Sequence, residues 1–223
     1  MPLDIYDVLS YPGREKNKEL IQALDDLGVT LTPLGQKRVF GVPVLGKGWS
    51  SLVIHGIYHD IEVAVKIQRK DSNRKSLSRE AAFLRTVNAH GIGPTLHHEG
   101  ASFLILEYIR GDIIHKAPVK KEHILSFFRQ CHLLDTLGID HGQIQGGKHL
   151  IIGEKCWIID FEKAGWRTPR NVSSLGSEVF LKKTRFAERM RTLFRVDRNT
   201  LISAFNEYKK DFLIDRILES LHV

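Results

Sequence analysis

Cysteine is scarce: Cys131 and Cys156 are the only two in 223 residues. Two thiols make neither a disulfide framework nor a cysteine-rich zinc site, so a reducing, cytoplasmic setting is expected. Long apolar runs are missing as well. Nothing approaches the ~20 residues that span a bilayer, and no membrane partner is expected. The opening stretch MPLDIYDVLSYPG lacks the basic-then-apolar order of a secretion signal. Internal repeats, low-complexity segments, flexible linkers and recognised RNA- or DNA-binding motifs are absent too. What is present is 42% apolar residues, enough to bury a substantial core and unlike a disordered composition. The length suits one large domain or two small lobes. Lys and Arg outnumber Asp and Glu by 33 to 26, a net +7. That excess admits an RNA or ribonucleoprotein partner, and equally a basic soluble surface around a phosphate site.

The apolar pattern predicts a strand-rich first half holding a helix, then a mostly helical second half. EKNKELIQALDDL places Leu20, Ile21, Leu24 and Leu27 on one helical stripe. The segments VFGVPVL, SSLVIHGIY and IEVAVKIQ are β-like. SLSREAAFLRTVNAHG is a helix with a serine cap and a closing Gly91. SFLILEYI reads as a buried strand, KEHILSFFRQCHLLDTLG as a second helix, and HLIIGEKCWIIDF as a hairpin turning at Gly153-Glu154-Lys155. From about Gly176 the chain reads as two or more helices. The expected class is α+β with two lobes, hinged near Tyr108 to Gly111.

GVPVLGKGWSS, from Gly41 to Ser51, admits two phosphate-binding readings. From Gly41 it is G-x-x-x-x-G-K, nearly a Walker loop. That loop needs a helix straight after the lysine and Ser or Thr at the next position. Here Gly48 occupies that position and the β-like WSSLVIHG follows. From Gly46 it is a glycine-rich turn between two strands, G-x-G-x-x-S, with Ser51 where a third glycine would stand. Glycines there let backbone approach phosphate oxygens.

Three further features follow in order. VAVK ends in Lys66 on a strand. Leu77, Glu80, Leu84 and Val87 are spaced along one helical face, so Glu80 lies on an apolar stripe, where an unpaired carboxylate is costly. Lys66 is its candidate partner. IIDFE then places Asp160 at the end of a buried strand, a suitable position for a Mg²⁺ ligand.

Together with LILEYIRG, these segments resemble a small atypical protein kinase. They are similar to the RIO kinases, to the minimal kinase of the KEOPS tRNA-modification complex, and to an archaeal group of predicted Ser/Thr kinases sharing VLGKG, DHG, KH and DFE. The resemblance runs from about Gly41 to Phe180. It implies a two-lobed kinase-like fold with a strand-rich N-lobe (41–109), a short helical C-lobe (110–223), and a helical N-terminal extension (1–40) on the N-lobe. It also implies ATP and Mg²⁺ in a cleft between the lobes. Gly46, Lys47 and Gly48 would cover the phosphates, and Lys66, held by Glu80, would orient them. Leu106 would be the gatekeeper, with Glu107 C=O and Ile109 N–H facing the adenine. Asp160 would hold Mg²⁺, with Glu162 a substitute ligand.

The catalytic loop departs from the family. Kinases of this style carry H-G-D-x-x-x-x-N or H-R-D-x-x-x-x-N; this chain has DHGQIQGGKHLII. Aligning His141-Gly142 puts Gln143 at the aspartate and Lys148 at the asparagine. Gln143 cannot act as a base and Lys148 cannot bind a cation. Asp140 is either a displaced base or a loop-stabilising partner of a nearby arginine. No A-P-E-like segment follows, and only 61 residues remain after Glu162. The expectation is an ATP-binding Ser/Thr kinase-like phosphotransferase, weakened by the loss of its base, with its protein substrate unspecified. The alternatives are a pseudokinase switch or scaffold, an ATPase linked to an RNA assembly, and a small-molecule kinase of the aminoglycoside type.

Overall fold

A computed structural model describes residues 4–73 and 76–221. The outer ends of the expected first and last segments, residues 1–3 and 222–223, lie outside the described residues. The fold is mixed, about 39% helix and 23% strand, and its sheets are antiparallel, as an α+β class requires. The chain divides into two compact units. One runs to Asn88 and resumes over Pro94–Ile109; the other holds Ala89–Gly93 and the chain from Arg110 onward.

In the first unit a 3-10 turn, Asp7–Ser10, precedes helix α1 (Lys18–Asp26). Asn17 caps α1 by accepting from the Leu20 N–H at 3.3 Å. Leu20 and Leu24 form its buried side. The strands are β1 (Thr30–Thr32), β2 (Lys37–Val39), β3 (Val42–Val44), β4 (Gly46–Lys47), β5 (Ser51–Tyr58) and β6 (Ile61–Gln68). Helix α2 (Ser78–Asn88) follows, then β7 (Leu96–Glu99) and β8 (Phe103–Glu107). The main sheet has the order β1-β5-β6-β8-β7, with β4 also paired to β5. The segment before residue 40 therefore supplies an edge strand as well as a helix. β5 and β6 meet through His59 and Asp60, both with positive φ, the backbone of a tight two-residue hairpin.

The twofold alternation of strands decides which side chains enter which layer. Leu52 and Ile54 of β5, Val63, Val65 and Ile67 of β6, and Phe103 and Ile105 of β8 form one core with Val8, Leu9, Leu20 and Leu24. Lys66 falls on the opposite face, in register with Val53 and Leu104.

The second unit begins with β9 (Gly111–Ile113) and the long helix α3 (Lys121–Thr136). Next come β10 (Ile139–Asp140), β11 (Leu150–Gly153), β12 (Cys156–Ile158) and β13 (Gly165–Trp166). β11 lies between β9 and β12, and β10 pairs with β13. The β11–β12 register, Ile152 opposite Cys156, puts Gly153-Glu154-Lys155 in the turn. Helices α4 (Asn171–Gly176), α5 (Arg185–Phe194), α6 (Arg198–Asp211) and α7 (Asp215–Ser220) complete the unit, with a π-helical turn, Ser177–Leu181, after α4. Phe128 stacks between Phe180 (6.1 Å) and Phe205 (6.0 Å). A Cβ at Gly176 would meet the Phe205 ring at 2.2 Å, so only glycine lets α4 approach α6 this closely. Both cysteines are free and buried.

Candidate functional site

In the first unit, Lys66 Nζ donates to Glu80 Oε1 at 2.7 Å. The two residues are 5% and 1% exposed. Leu77, Leu84 and Val87 are buried along the same side of α2, so the helix that buries its leucines necessarily buries this carboxylate. Burying two charges is expensive, and an apolar pair of similar volume would often be as stable.

The glycine-rich turn is a β-hairpin. Gly46 and Lys47 pair with Val53 and Leu52, and the Gly48 N–H donates to Ser51 C=O at 2.9 Å. A strand follows Lys47 where a Walker loop needs a helix, so the Walker alternative lacks its anion-binding helix N-terminus. Trp49, at the tip, is 96% exposed. The turn is held by residues that no motif marks. Arg69 donates to Gly48 C=O at 2.8 Å and forms a bidentate pair with Asp71. Its side chain and the Lys47 ammonium both lie over the Tyr11 ring, at 4.7 and 4.4 Å. Further along this unit, Leu106 is buried. The Glu107 carboxylate accepts from the Thr95 N–H and hydroxyl, at 3.0 and 3.1 Å. Ile109 is the last residue of the unit.

In the second unit, the loop after β10 brings Asp140, His141 and Gln143 together. Asp140 accepts from Arg167 Nε at 2.5 Å. Of the two roles open to Asp140 in the sequence, this geometry supplies the arginine-paired one. His141 is fully buried and both its ring nitrogens are engaged. Nε2 lies 3.0 Å from Ile159 C=O, and Nδ1 accepts from the Gln143 N–H at 3.2 Å. These partners place the proton on Nε2. Burial, the largest influence, lowers its pKa to about 4, so the imidazole is neutral at pH 7 and ties the loop to the strand end. Among the described residues, buried Gln143 Oε1 meets no hydrogen-bond partner. Lys148 is exposed, while the next residue, His149, is buried.

Asp160 follows β12 in a left-handed conformation, φ 66° and ψ 73°, which is uncommon for a residue with a side chain. Phe161, buried edge-on to His141 at 4.8 Å, holds the turn, and the Ile159 N–H donates to His149 C=O at 2.9 Å. Asp160 Oδ2 lies 3.6 Å from His149 Nδ1. Glu162 sits in the following 3-10 turn. Among the described residues, no group of three or more His, Cys, Asp or Glu side chains forms a metal cage. Asp160 is a carboxylate of the kind that can take a Mg²⁺ whose shell phosphate and water oxygens complete.

Two buried carboxylates support this loop and escaped the sequence reading. Asp135 accepts from the Asn171 N–H (2.9 Å) and Nδ2 (2.7 Å), the Val172 N–H (3.2 Å) and the Tyr208 hydroxyl (2.9 Å). Asn171 in turn accepts from the His141 N–H at 2.9 Å. Burial raises the Asp135 pKa despite these donors. Burial, then the adjacent Asp135, also raises that of Tyr208. Glu178 accepts from the Gly146 N–H at 2.7 Å, pairs with Lys182, and lies 3.0 Å from His115 Nε2. Burial pushes its carboxyl upward, but Lys182, the Gly146 N–H and His115 outweigh that and lower it. Asp135 had a signal: it lies on the α3 face of Phe128, Cys131 and Leu134 and so repeats the logic of Glu80. Glu178 had none.

No protein-family profile matches the chain. Over 66 residues it is 62% identical to the uncharacterized protein MJ1211 of Methanocaldococcus jannaschii, a match covering 26% of this chain and 57% of that protein.

Proposed function

We propose that the chain is an atypical Ser/Thr kinase-like phosphotransferase of two lobes that binds Mg²⁺-ATP, and that its chemical step is slow. The observation that carries this reading is the buried Lys66–Glu80 pair. Its position on strand and helix matches the kinase pattern, and stability alone does not account for it. Lys66, fixed by Glu80, orients the α- and β-phosphates, and the loop from Gly46 to Ser50 covers them. Asp160 would hold the metal, which when bound neutralises charge on the β- and γ-phosphates.

Gln143, standing where a kinase carries its aspartate, cannot take a substrate proton, and its Oε1 is buried. Asp140 is committed to Arg167. Positioning and electrostatics, the main contributors to phosphoryl transfer, are thus retained while base assistance is lost. The second reading, a pseudokinase that binds nucleotide as a switch, is favoured by the same Gln143 and Asp140 geometry.

Differential scanning fluorimetry tests the nucleotide site. ATP with Mg²⁺ is expected to raise the melting temperature, since a ligand at a hundredfold excess over Kd stabilises the folded state by ~2.7 kcal/mol. Lys66→Ala should diminish that shift. A melting temperature unmoved by millimolar ATP would overturn both readings. A clear shift without phosphate release favours the switch.

A further inference from the structure

The net charge is concentrated in one stretch. Residues 182–198 hold seven Lys and Arg against two Asp and Glu, so they contribute most of the molecule's +7. The stretch spans α5 and its two ends, within the second unit.

α5 has one apolar side, Ala187, Met190 and Phe194, and all three are buried. The helical repeat then turns Arg185 and Arg189, four residues apart, outward with Thr192 and Leu193. Lys183 stands before the helix, and Arg195 and Arg198 stand after it. All five basic residues are exposed, and among the described residues none of them makes an ion pair or a side-chain hydrogen bond. The other two cations of the stretch are spent internally: Lys182 pairs with Glu178, and Arg191 donates to Phe180 C=O. Of the two acids, Asp197 is engaged in capping α6 through the Asn199 and Thr200 N–H groups. Glu188 alone opposes the outward field.

Three further details give the face a binding character. The Arg189 guanidinium lies 5.5 Å from the centre of the half-buried Phe186 ring, so cation, aromatic and the exposed Leu193 are neighbours. Arg195 closes α5 with φ 57°, a left-handed position where glycine is usual. An open depression of about 480 Å³ lies beside it, lined by Glu188, Arg191, Thr192, Arg195, Val196 and Asp197.

We propose that this α5 face binds the phosphodiester backbone of a single-stranded nucleic acid. Guanidinium forks match phosphate oxygens in pairs, and unspent cations on one face give counterion-release binding. The aromatic and apolar neighbours offer bases a surface to stack on. A flexible strand can follow a helix of ten residues, whereas a stiff duplex touches it over a short length. Insertion into a membrane is disfavoured, because the apolar side of α5 is already buried in its own unit. The proposal does not depend on nucleotide binding elsewhere in the chain.

Fluorescence anisotropy with a labelled RNA of about 20 nucleotides, and with DNA of the same sequence, tests it between about 50 and 200 mM salt. The wild type should bind RNA, with or without the DNA, and lose affinity steeply as salt rises. The triple variant Arg185→Glu/Arg189→Glu/Arg195→Glu should bind at least ~10-fold more weakly. Its salt slope should be smaller by about 2, at ~0.7 per lost phosphate contact. Arg185→Gln/Arg189→Gln/Arg195→Gln repeats the test with less disturbance should the first variant misfold by circular dichroism. Lys37→Glu/Lys209→Glu/Lys210→Glu removes the same net charge elsewhere and should retain most of the binding. Equal losses in the control, salt-independent binding, or no binding at all would overturn the proposal. So would a preference for polyglutamate or phosphatidylserine vesicles over RNA.

Discussion

Glu80 and Asp135 follow one physical rule: a carboxylate on the apolar stripe of a helix is carried inside with its neighbours and must find donors there. Glu80 finds Lys66; Asp135 finds two backbone N–H groups, an amide and a phenol. For the ion pair this rule predicts strong coupling. Removing either charge strands the other, at a cost of ~3–5 kcal/mol, whereas removing both is far milder. A double-mutant cycle of Lys66→Met and Glu80→Gln, read by urea denaturation, should show coupling well above the ~0.5 kcal/mol scatter of independent sites. Additive effects would mean that the two side chains do not interact. The Lys66–Glu80 contact was legible in the sequence because strand and helix periodicities each assign a face. The Arg69 contacts with Gly48 C=O and the Tyr11 ring, and those of Glu178 with the Gly146 N–H and His115, were not, because no local spacing encodes them.

On the proposed function, the loop between β10 and β11 is the element on which catalytic rate would turn. Its shape is set from below, by His141 on Ile159, by Asn171 on the His141 N–H, and by Glu178 on the Gly146 N–H. Gln143 can therefore be exchanged without removing a structural bond of its side-chain oxygen. Gln143→Asp should raise ATP turnover or autophosphorylation, by up to ~10²–10⁴ if base assistance is restored. Asp140→Asn should change turnover little, since Asp140 is occupied by Arg167. Lys148→Asn should add little to Gln143→Asp, because Lys148 is exposed while His149 is the residue beside Asp160. Steady-state phosphate release distinguishes these cases. Abolition of activity by Asp140→Asn would identify Asp140 as the base after all. The motif order located this loop, but the sequence could not show that Asp140 is engaged or that Lys148 faces solvent.

At the scale of the molecule, acid should destabilise the second unit through His141. Its pKa is about 4 in the folded chain against the ordinary value near 6.5. The folded form thus binds fewer protons between those values, and stability is lost as pH falls from about 6.5 through 4, by ~3 kcal/mol. Asp135, whose pKa is raised, has the opposite sign: its contribution is lost as pH rises through its folded value. Urea unfolding followed by tryptophan fluorescence, to which the buried Trp157 of this unit contributes, should show the acid loss. His141→Gln should flatten it. An unchanged pH slope in His141→Gln would show that the imidazole does not carry the linkage.

The sequence by itself determined the order of the longer elements, the hairpin at Gly153-Glu154-Lys155, the buried stripe of α2 and the α+β class. Each of these rests on periodicity or local turn chemistry, which short windows of chain express. Tertiary structure alone decided that the segment before residue 40 adds β1 to the main sheet and covers one of its faces. It also decided that Asp140 meets Arg167, and that the buried residue beside Asp160 is His149 while Lys148 is exposed. It sorted the seven cations of residues 182–198 into two spent internally and five left outward. Those outcomes depend on which distant groups arrive at a given face, and no local pattern records that.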